Sequence, residues 1–392
     1  MTDNSLRLEA PRAEQRDAVS RVTMRLDGTD IWFESADAPL LPSVEGFASA
    51  LVIPALAAGR QMVIEGTVTA DWAGNAARAT NLVCGWWNYP RLAPRCLSTL
   101  APAPPPGDRG PTPVAGLAFS AGVDSFFTLH TSPYPVEALV FVHGFDMTLA
   151  ETARADRVRA GLTKAASAIG ARPITIRTNL KTHPLFRGVS WDRSHGGALA
   201  AVGHMLSNHI DTWLISSSYQ RTLDRAWGSR WDLDPLWSGA GLSVHHIGEQ
   251  YSRADKLERL AGSDLARAQL RVCWENRDDR LNCSRCGKCV RTRLLLCALG
   301  LLDQFPTLDD ARSLAADLDA LPGHLQRAIA HNYHFALSRP LPPDVGAATR
   351  RLLWRMRSDE WRGRLGRLAR LPRAVFRQLL RGLARTEQPS SR

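Results

Sequence analysis

Apolar positions along this chain change their spacing at a clear boundary. Before it, "RVTMRLDGTDIWFES" alternates apolar and polar residues on either side of Asp27–Gly28, which predicts a β-hairpin with a two-residue turn. "SVEGFASALVIPALAAG" predicts a helix, "QMVIEGTVT" a strand and "DWAGNAARATNLVCGWW" a second helix. No catalytic signature stands in this part. Cys84 and Cys96 read as ordinary thiols, and Trp86 and Trp87 as packing residues. The boundary is "APAPPPGDRGPTP", residues 101–113, whose prolines and glycines resist both helix and sheet. A small N-terminal α+β domain is therefore expected over residues 1–100.

Beyond the boundary, short apolar runs alternate with helical patterns. "VAGLAFS", "VEALVFVHG", "RPITIRTN", "DTWLISSS" and "LSVHHIG" read as strands, with amphipathic segments such as "LAETARADRVRAGLTKAASAIG" between them. Continuous apolar strands separated by helices predict an α/β fold, a doubly wound parallel sheet covered on both faces. Ligands of such sheets sit outside the carboxyl ends of the strands.

That rule singles out Ser120, Ala121, Gly122, Val123, Asp124 and Ser125, a turn between the first of these strands and a helix. Unpaired amides at a helix start, together with the helix dipole, favour an anion. Gly122 lets the backbone approach closely, and Ser120 and Ser125 add hydroxyl donors. Asp124 would repel a phosphate unless Mg²⁺ lay between them. The bland alternative is a helix cap. The loop lacks the GK[ST] ending of a Walker A sequence.

The second candidate is "NCSRCGKC". Cys283, Cys286 and Cys289 have CxxCxxC spacing, and Cys273 stands upstream in "LRVCWENRDD". Four thiolates so spaced can close a tetrahedron around Zn²⁺, a structural set with no open position. Redox use of a CxxC is the rival reading. Cys297 reads as core.

Composition adds three constraints. The length of 392 residues suits two or three domains. No apolar run is long enough to span a bilayer and no secretory signal opens the chain, so a cytoplasmic location is expected. The net charge is +11, but residues 350–385 hold twelve arginines against Asp359 and Glu360. The basic character therefore belongs to a tail, residues 350–392, and not to the body. Trp361, Leu365 and Leu368, then Phe376, Leu379, Leu380 and Leu383 beyond Pro372, follow helical spacing. An amphipathic helix of this kind suits a membrane surface, RNA or an acidic protein.

"SAGVDS" resembles the SGGxDS loop of the PP-loop ATP pyrophosphatases, with Ala121 where that motif usually has Gly. "YSRADKLERLAG", "LRVCW" and "NCSRCGKCVRT", in that order, resemble the end of the 7-cyano-7-deazaguanine synthase family. The likeness spans residues 114–303. It implies an adenine nucleotide α-hydrolase-like fold with a zinc knuckle over 273–289, followed by a helical extension over 304–349. It also implies an activity. ATP is cleaved between its α- and β-phosphates, AMP is transferred to a carboxylate or carbonyl oxygen, and an ammonia-like nucleophile displaces AMP. ATP, Mg²⁺ and Zn²⁺ would take part. Ser120, Gly122, Asp124 and Ser125 carry over as pyrophosphate or Mg²⁺ contacts, Lys256 as a phosphate contact, and Cys273, Cys283, Cys286 and Cys289 as zinc ligands.

Further candidates follow from position alone. His143 ends the second strand of the sheet, beside the nucleotide loop. Arg193 and His195 stand at a helix start, where Ser194 capping is the bland reading. Asp234 and Trp237, in the Trp- and Arg-rich stretch after the fourth strand, are candidate substrate contacts. The acceptor is expected to be a small molecule or modified base. Two alternatives remain open: an RNA-thiolating enzyme of the same superfamily, and a zinc-ribbon RNA-binding protein with a degenerate loop.

Overall fold

The computed structural model describes residues 4–100 and 114–369, apart from Ala240, Asp279, Asp309, Ala311, Arg327 and Ala328. The linker 101–113 and the segment after 369 thus lie outside the described residues. So do the side chains of Trp361, Leu365 and Leu368, on which the apolar face of the tail was expected.

The chain opens with β1 (Leu6–Leu8), β2 (Arg12–Arg16) and the expected hairpin, β3 (Val19–Leu26) and β4 (Thr29–Ser35). Its turn places Asp27 at φ 48° and Gly28 at φ 77°, the paired left-handed residues that match strand twist. α1 (Val44–Ala57) is capped by Ser43, whose Oγ accepts from the Gly46 amide at 3.0 Å. β5 (Met62–Thr69), α2 (Ala70–Trp87) and β6 (Arg95–Leu100) follow.

Next come β7 (Ala115–Ala118), α3 (Val123–Thr131), β8 (Val136–His143), α4 (Thr152–Ile169) and β9 (Arg172–Thr178). A short α5 (Pro184–Arg187), then α6 (Trp191–Met205), β10 (Thr212–Ser216), β11 (Ser243–Ile247), α7 (Arg253–Leu260) and α8 (Asp264–Gln269) complete this part. The main sheet has eight strands in the order β11-β10-β7-β8-β9-β4-β3-β2. From β11 to β9 all neighbours are parallel, and β4, β3 and β2 continue the sheet antiparallel. The chain is therefore α/β with a mostly parallel sheet, as the alternating pattern implies. β1, β5 and β6 form a separate three-stranded parallel sheet.

The expected boundary at 101–113 does not divide the fold. Residues up to 282, with 304–307, form one compact unit. Two physical features join its halves. The edge of β9 would be an unpaired row of amides and carbonyls, and β4 satisfies it through Phe33↔Thr178 and Glu34↔Arg177. Helix α1 is buried almost all round, so it needs cover on more than one side. Part of that cover is α6, where a Cβ on Gly197 would lie 2.2 Å from the Ser49 carbonyl oxygen. A proline-rich segment signals a break in secondary structure; it does not say whether the flanking surfaces meet.

The second unit comprises residues 283–303 and those from 308 onward. It contains α9 (Gly287–Ala298), α10 (Leu314–Ala320), α11 (Gly323–Gln326), α12 (Ala330–Leu337) and α13 (Pro343–Ala369). The helix after the cysteines thus belongs with the helical extension, and the expected boundary at 303 shifts to 282. Buried Arg293 ties this unit together, donating to the Ser284 carbonyl at 3.2 Å and to Asp317 at 2.6 Å. No described helix is long and apolar enough to cross a membrane.

Candidate functional site

The loop after β7 is held in a conformation that its sequence resists. Ala121 sits at φ 57°, a left-handed geometry that costs a residue with a Cβ roughly 1–2 kcal/mol. The Arg271 amide, which donates to the Ala121 carbonyl at 2.8 Å, helps to hold it there. Gly122 then enters α3 with extended backbone, and its amide donates to Ser125 Oγ at 3.0 Å. Ser125, expected to offer its hydroxyl to a ligand, is instead buried and used by the loop itself. Ala121 and Val123 are also buried, whereas Ser120, Gly122 and Asp124 are partly exposed.

Asp124 lies in the first turn of α3. Its carboxylate accepts from Arg253 Nη2 at 2.8 Å and from Lys256 Nζ at 3.0 Å. The Mg²⁺ contact expected for Asp124 would have to share a carboxylate already held by two cations. Lys256 is 1% exposed and also donates to the Ser217 carbonyl at 2.5 Å. Burial pushes its pKa down, and the neighbouring Asp124 charge opposes that shift. A capping box between Ser252 and Asp255 fixes the first turn of α7, and the i, i+3 spacing puts Arg253 and Lys256 on one face. Arg253 was legible from that spacing; the backbone role of Arg271 was not.

His143 ends β8 as expected, buried, with Nε2 2.8 Å from the Thr148 carbonyl oxygen, which ties down the following loop. It also borders a cleft of about 440 Å³, lined in part by Glu34, Asp37, Thr152, Arg159 and Arg177. Gly144 takes the next position at φ 118°, where a Cβ would lie 2.0 Å from the Thr178 carbonyl oxygen.

Arg193 and His195 do stand at the start of α6, but the cap is Ser190 and not Ser194. Arg193 lies over the Trp87 ring at 5.3 Å and bonds the Tyr89 hydroxyl at 2.8 Å. His195 Nδ1 meets the Trp191 carbonyl at 3.0 Å, and burial lowers its pKa. The stretch after β10 adds Arg221 over Trp231 at 3.7 Å, Arg225 over Trp227 at 4.8 Å and Arg230 over Trp86 at 4.9 Å. Two backbone bonds anchor it to α6, Gly196 N to Gly228 O and Gly228 N to Asp192 O. Trp237 and Asp234 are 0% exposed. Trp237 is core, so a direct substrate contact is ruled out for it in this conformation, while Asp234 can act only through its neighbours.

The sulfurs of Cys273, Cys283, Cys286 and Cys289 all lie within 4.8 Å of one another, and all four residues are buried. A tetrahedron with zinc–sulfur bonds of about 2.3 Å has edges of about 3.8 Å, so the set fits a metal ion such as zinc. Two turns aim amides at sulfur, Asn276 N to Cys273 Sγ and Cys286 N to Cys283 Sγ, both at 3.3 Å. Cys289 sits in the first turn of α9, where the helix dipole favours thiolate. Sequence reasoning missed Asn282. It is 1% exposed, accepts from the Val272 and Cys273 amides at 2.8 and 3.1 Å, and donates to the Leu270 and Thr307 carbonyls. Its side chain therefore shapes the turn that presents Cys273.

Comparison with known proteins gives no match: no family model, no curated protein and no solved structure matches this chain.

Proposed function

We propose that this protein is an ATP-dependent ligase of the PP-loop ATP pyrophosphatase type, similar to the 7-cyano-7-deazaguanine synthases. It adenylates a carboxylate or carbonyl oxygen of a small molecule or modified base, and an ammonia-like nucleophile then displaces AMP. One observation carries this reading: Arg253 and Lys256 converge on Asp124 in the first turn of α3, beside the glycine turn at the carboxyl end of β7. In the first step the acceptor oxygen bonds to the α-phosphorus and the bond to the bridging oxygen breaks. Its electron pair leaves with pyrophosphate, whose growing charge the α3 amides, Arg253 and Lys256 would stabilise. Asp124 keeps the two cations in place, and Mg²⁺ arriving with the nucleotide would share its carboxylate. Zinc on the four cysteines would be structural, because a four-sulfur set leaves no open position.

A second reading takes RNA as the acceptor. The specific observation in its favour is the run of arginines stacked on Trp86, Trp87, Trp227 and Trp231, since interleaved aromatic and guanidinium planes suit unstacked bases.

The deciding assay incubates α-labelled ATP and the protein with a cell metabolite extract. Labelled AMP and pyrophosphate should accumulate only when extract is present, and a Lys256→Met variant should lose about 100-fold in rate. ADP and phosphate as products, or tight RNA binding without turnover, would replace this reading. An Asp124→Ala variant with full ATP cleavage would remove Asp124 from the mechanism.

A further inference from the structure

Close to the loop site, a second polar group has no part in the step above. His246, near the end of β11, has Nδ1 2.7 Å from Asp234 Oδ2. Asp234 is 0% exposed, and the same oxygen accepts from Ser229 Oγ at 2.6 Å. A carboxylate can only accept here, so Nδ1 carries a proton, and in the neutral ring the lone pair lies on Nε2. Among the described residues no hydrogen-bond partner reaches Nε2. The imidazole, with Ser217, Tyr219, Arg225 and Trp227, lines a recess of about 20 Å³. That volume admits one molecule the size of water, and far less than a nucleobase. Ser217 links the recess to the loop site, since its carbonyl is the one that receives Lys256 Nζ.

We infer that this recess receives the small nucleophile of the second half-reaction and that His246 Nε2 takes its proton, with Asp234 as a positioning residue. The inference rests on the adenylation reading. At neutral pH ammonia exists mainly as ammonium, which has no lone pair to attack with. Transfer of one proton from ammonium to Nε2 frees ammonia. A carbon–nitrogen bond then forms to the adenylated carbon, the new C–NH₃⁺ group gives up a second proton to solvent, the carbon–oxygen bond to AMP breaks, and its electron pair leaves on the AMP phosphate. Arg225, Arg221, Arg230 and Asp224 are the other charged groups lining the recess. The proton passes from Nε2 to solvent after each turnover.

The test compares ammonium with hydroxylamine, which is neutral at the same pH and needs no base, using as acceptor whichever extract fraction supports AMP release. His246→Gln should lose about 100-fold with ammonium and stay within a few-fold of wild type with hydroxylamine. Asp234→Asn should lose about 10-fold, again with ammonium alone; if it does not fold, the His246→Gln pair of rates decides. Equal losses with both nucleophiles, or no loss with either, overturn the assignment while leaving adenylation intact. Absence of AMP release by the wild type with any nucleophile overturns both. Independently of turnover, imidazole nitrogen NMR should find Nδ1 protonated and Nε2 bare in His246; the reverse tautomer refutes the proposal.

Discussion

Cys283, Cys286 and Cys289 follow one another at three-residue spacing, whereas Asp124 meets Lys256 across 132 positions of chain. The cysteines need little more than a tight turn and the start of α9 to bring their sulfurs together. The Asp124 site needs β7, β10, β11 and α7 in register before any contact exists. Both nevertheless turn over a non-glycine residue in left-handed backbone, Ala121 at φ 57° and Ser284 at φ 57°. Such geometry persists only where the surroundings over-determine it. At Ala121 the Arg271 amide contributes to that hold, and at Ser284 the bond from Arg293 to the carbonyl does. A locally encoded site should therefore fail as a unit when its ligand is lost, and a globally encoded site should fail when one charge is left alone.

The largest expected effect lies on the local side. Cys286→Ser should abolish stoichiometric zinc, measured by metal analysis, and lower stability by more than about 5 kcal/mol, since structural zinc in small peptides binds with about 10 kcal/mol or more. A variant that kept both zinc and stability would remove the cluster as a metal centre.

On the global side, Asp124→Asn leaves Lys256 buried without its countercharge and should cost about 3–5 kcal/mol in urea unfolding. Adding Lys256→Met to it should recover part of that loss. Strict additivity of the two substitutions would mean that the pair is not coupled, and the comparison drawn above would lose its second half.

Acid should act on the same global packing through His204. This residue is 0% exposed on α6, donates Nε2–H to the Trp237 carbonyl at 2.8 Å, and has a pKa lowered by burial to about 4. The unfolded chain binds that proton more tightly, so stability is full above the ordinary histidine pKa and falls as the pH drops from about 6.5 towards 4, by about 3 kcal/mol. Glu45, with Oε2 3.9 Å from His204 Nδ1, has its pKa raised by burial and works in the opposite sense over its own range. Denaturation curves from about pH 7 to about pH 4.5 should be flatter for His204→Gln than for wild type; an unchanged slope would assign acid sensitivity elsewhere.

The smallest effect concerns the strained turn itself. Ala121→Gly should gain about 1 kcal/mol, read from the unfolding midpoint, because the left-handed geometry no longer opposes a Cβ. A loss instead would mean that the Ala121 methyl contributes more by its burial than its backbone costs.

Much of the candidate chemistry was legible as residue types in spacing. CxxCxxC with Cys273 upstream reads as a metal set because ligand geometry is short-ranged, and the described structure brings those four sulfurs together. Arg253 could have been found from its helical spacing to Lys256. Asn282 and His246 could not. Asn282 matters because four backbone groups from separate turns converge on one amide. His246 matters because a chain reversal after β10 buries Asp234 against it. Ser125 and Trp237 erred the other way, since a hydroxyl or an indole near a site gives no sign of being consumed by the fold.

By itself the sequence determined the hairpin, the main helices and the five central strands, their parallel character and the cysteine set, because periodicity, turn chemistry and ligand spacing act over a few residues. Only the tertiary structure decided that the N-terminal hairpin extends the main sheet, that the helix after the cysteines joins the C-terminal unit, and which cations meet Asp124. Those outcomes depend on edge pairing, on apolar surfaces finding cover and on buried charges finding partners. Each is a contest among distant segments that no local window contains.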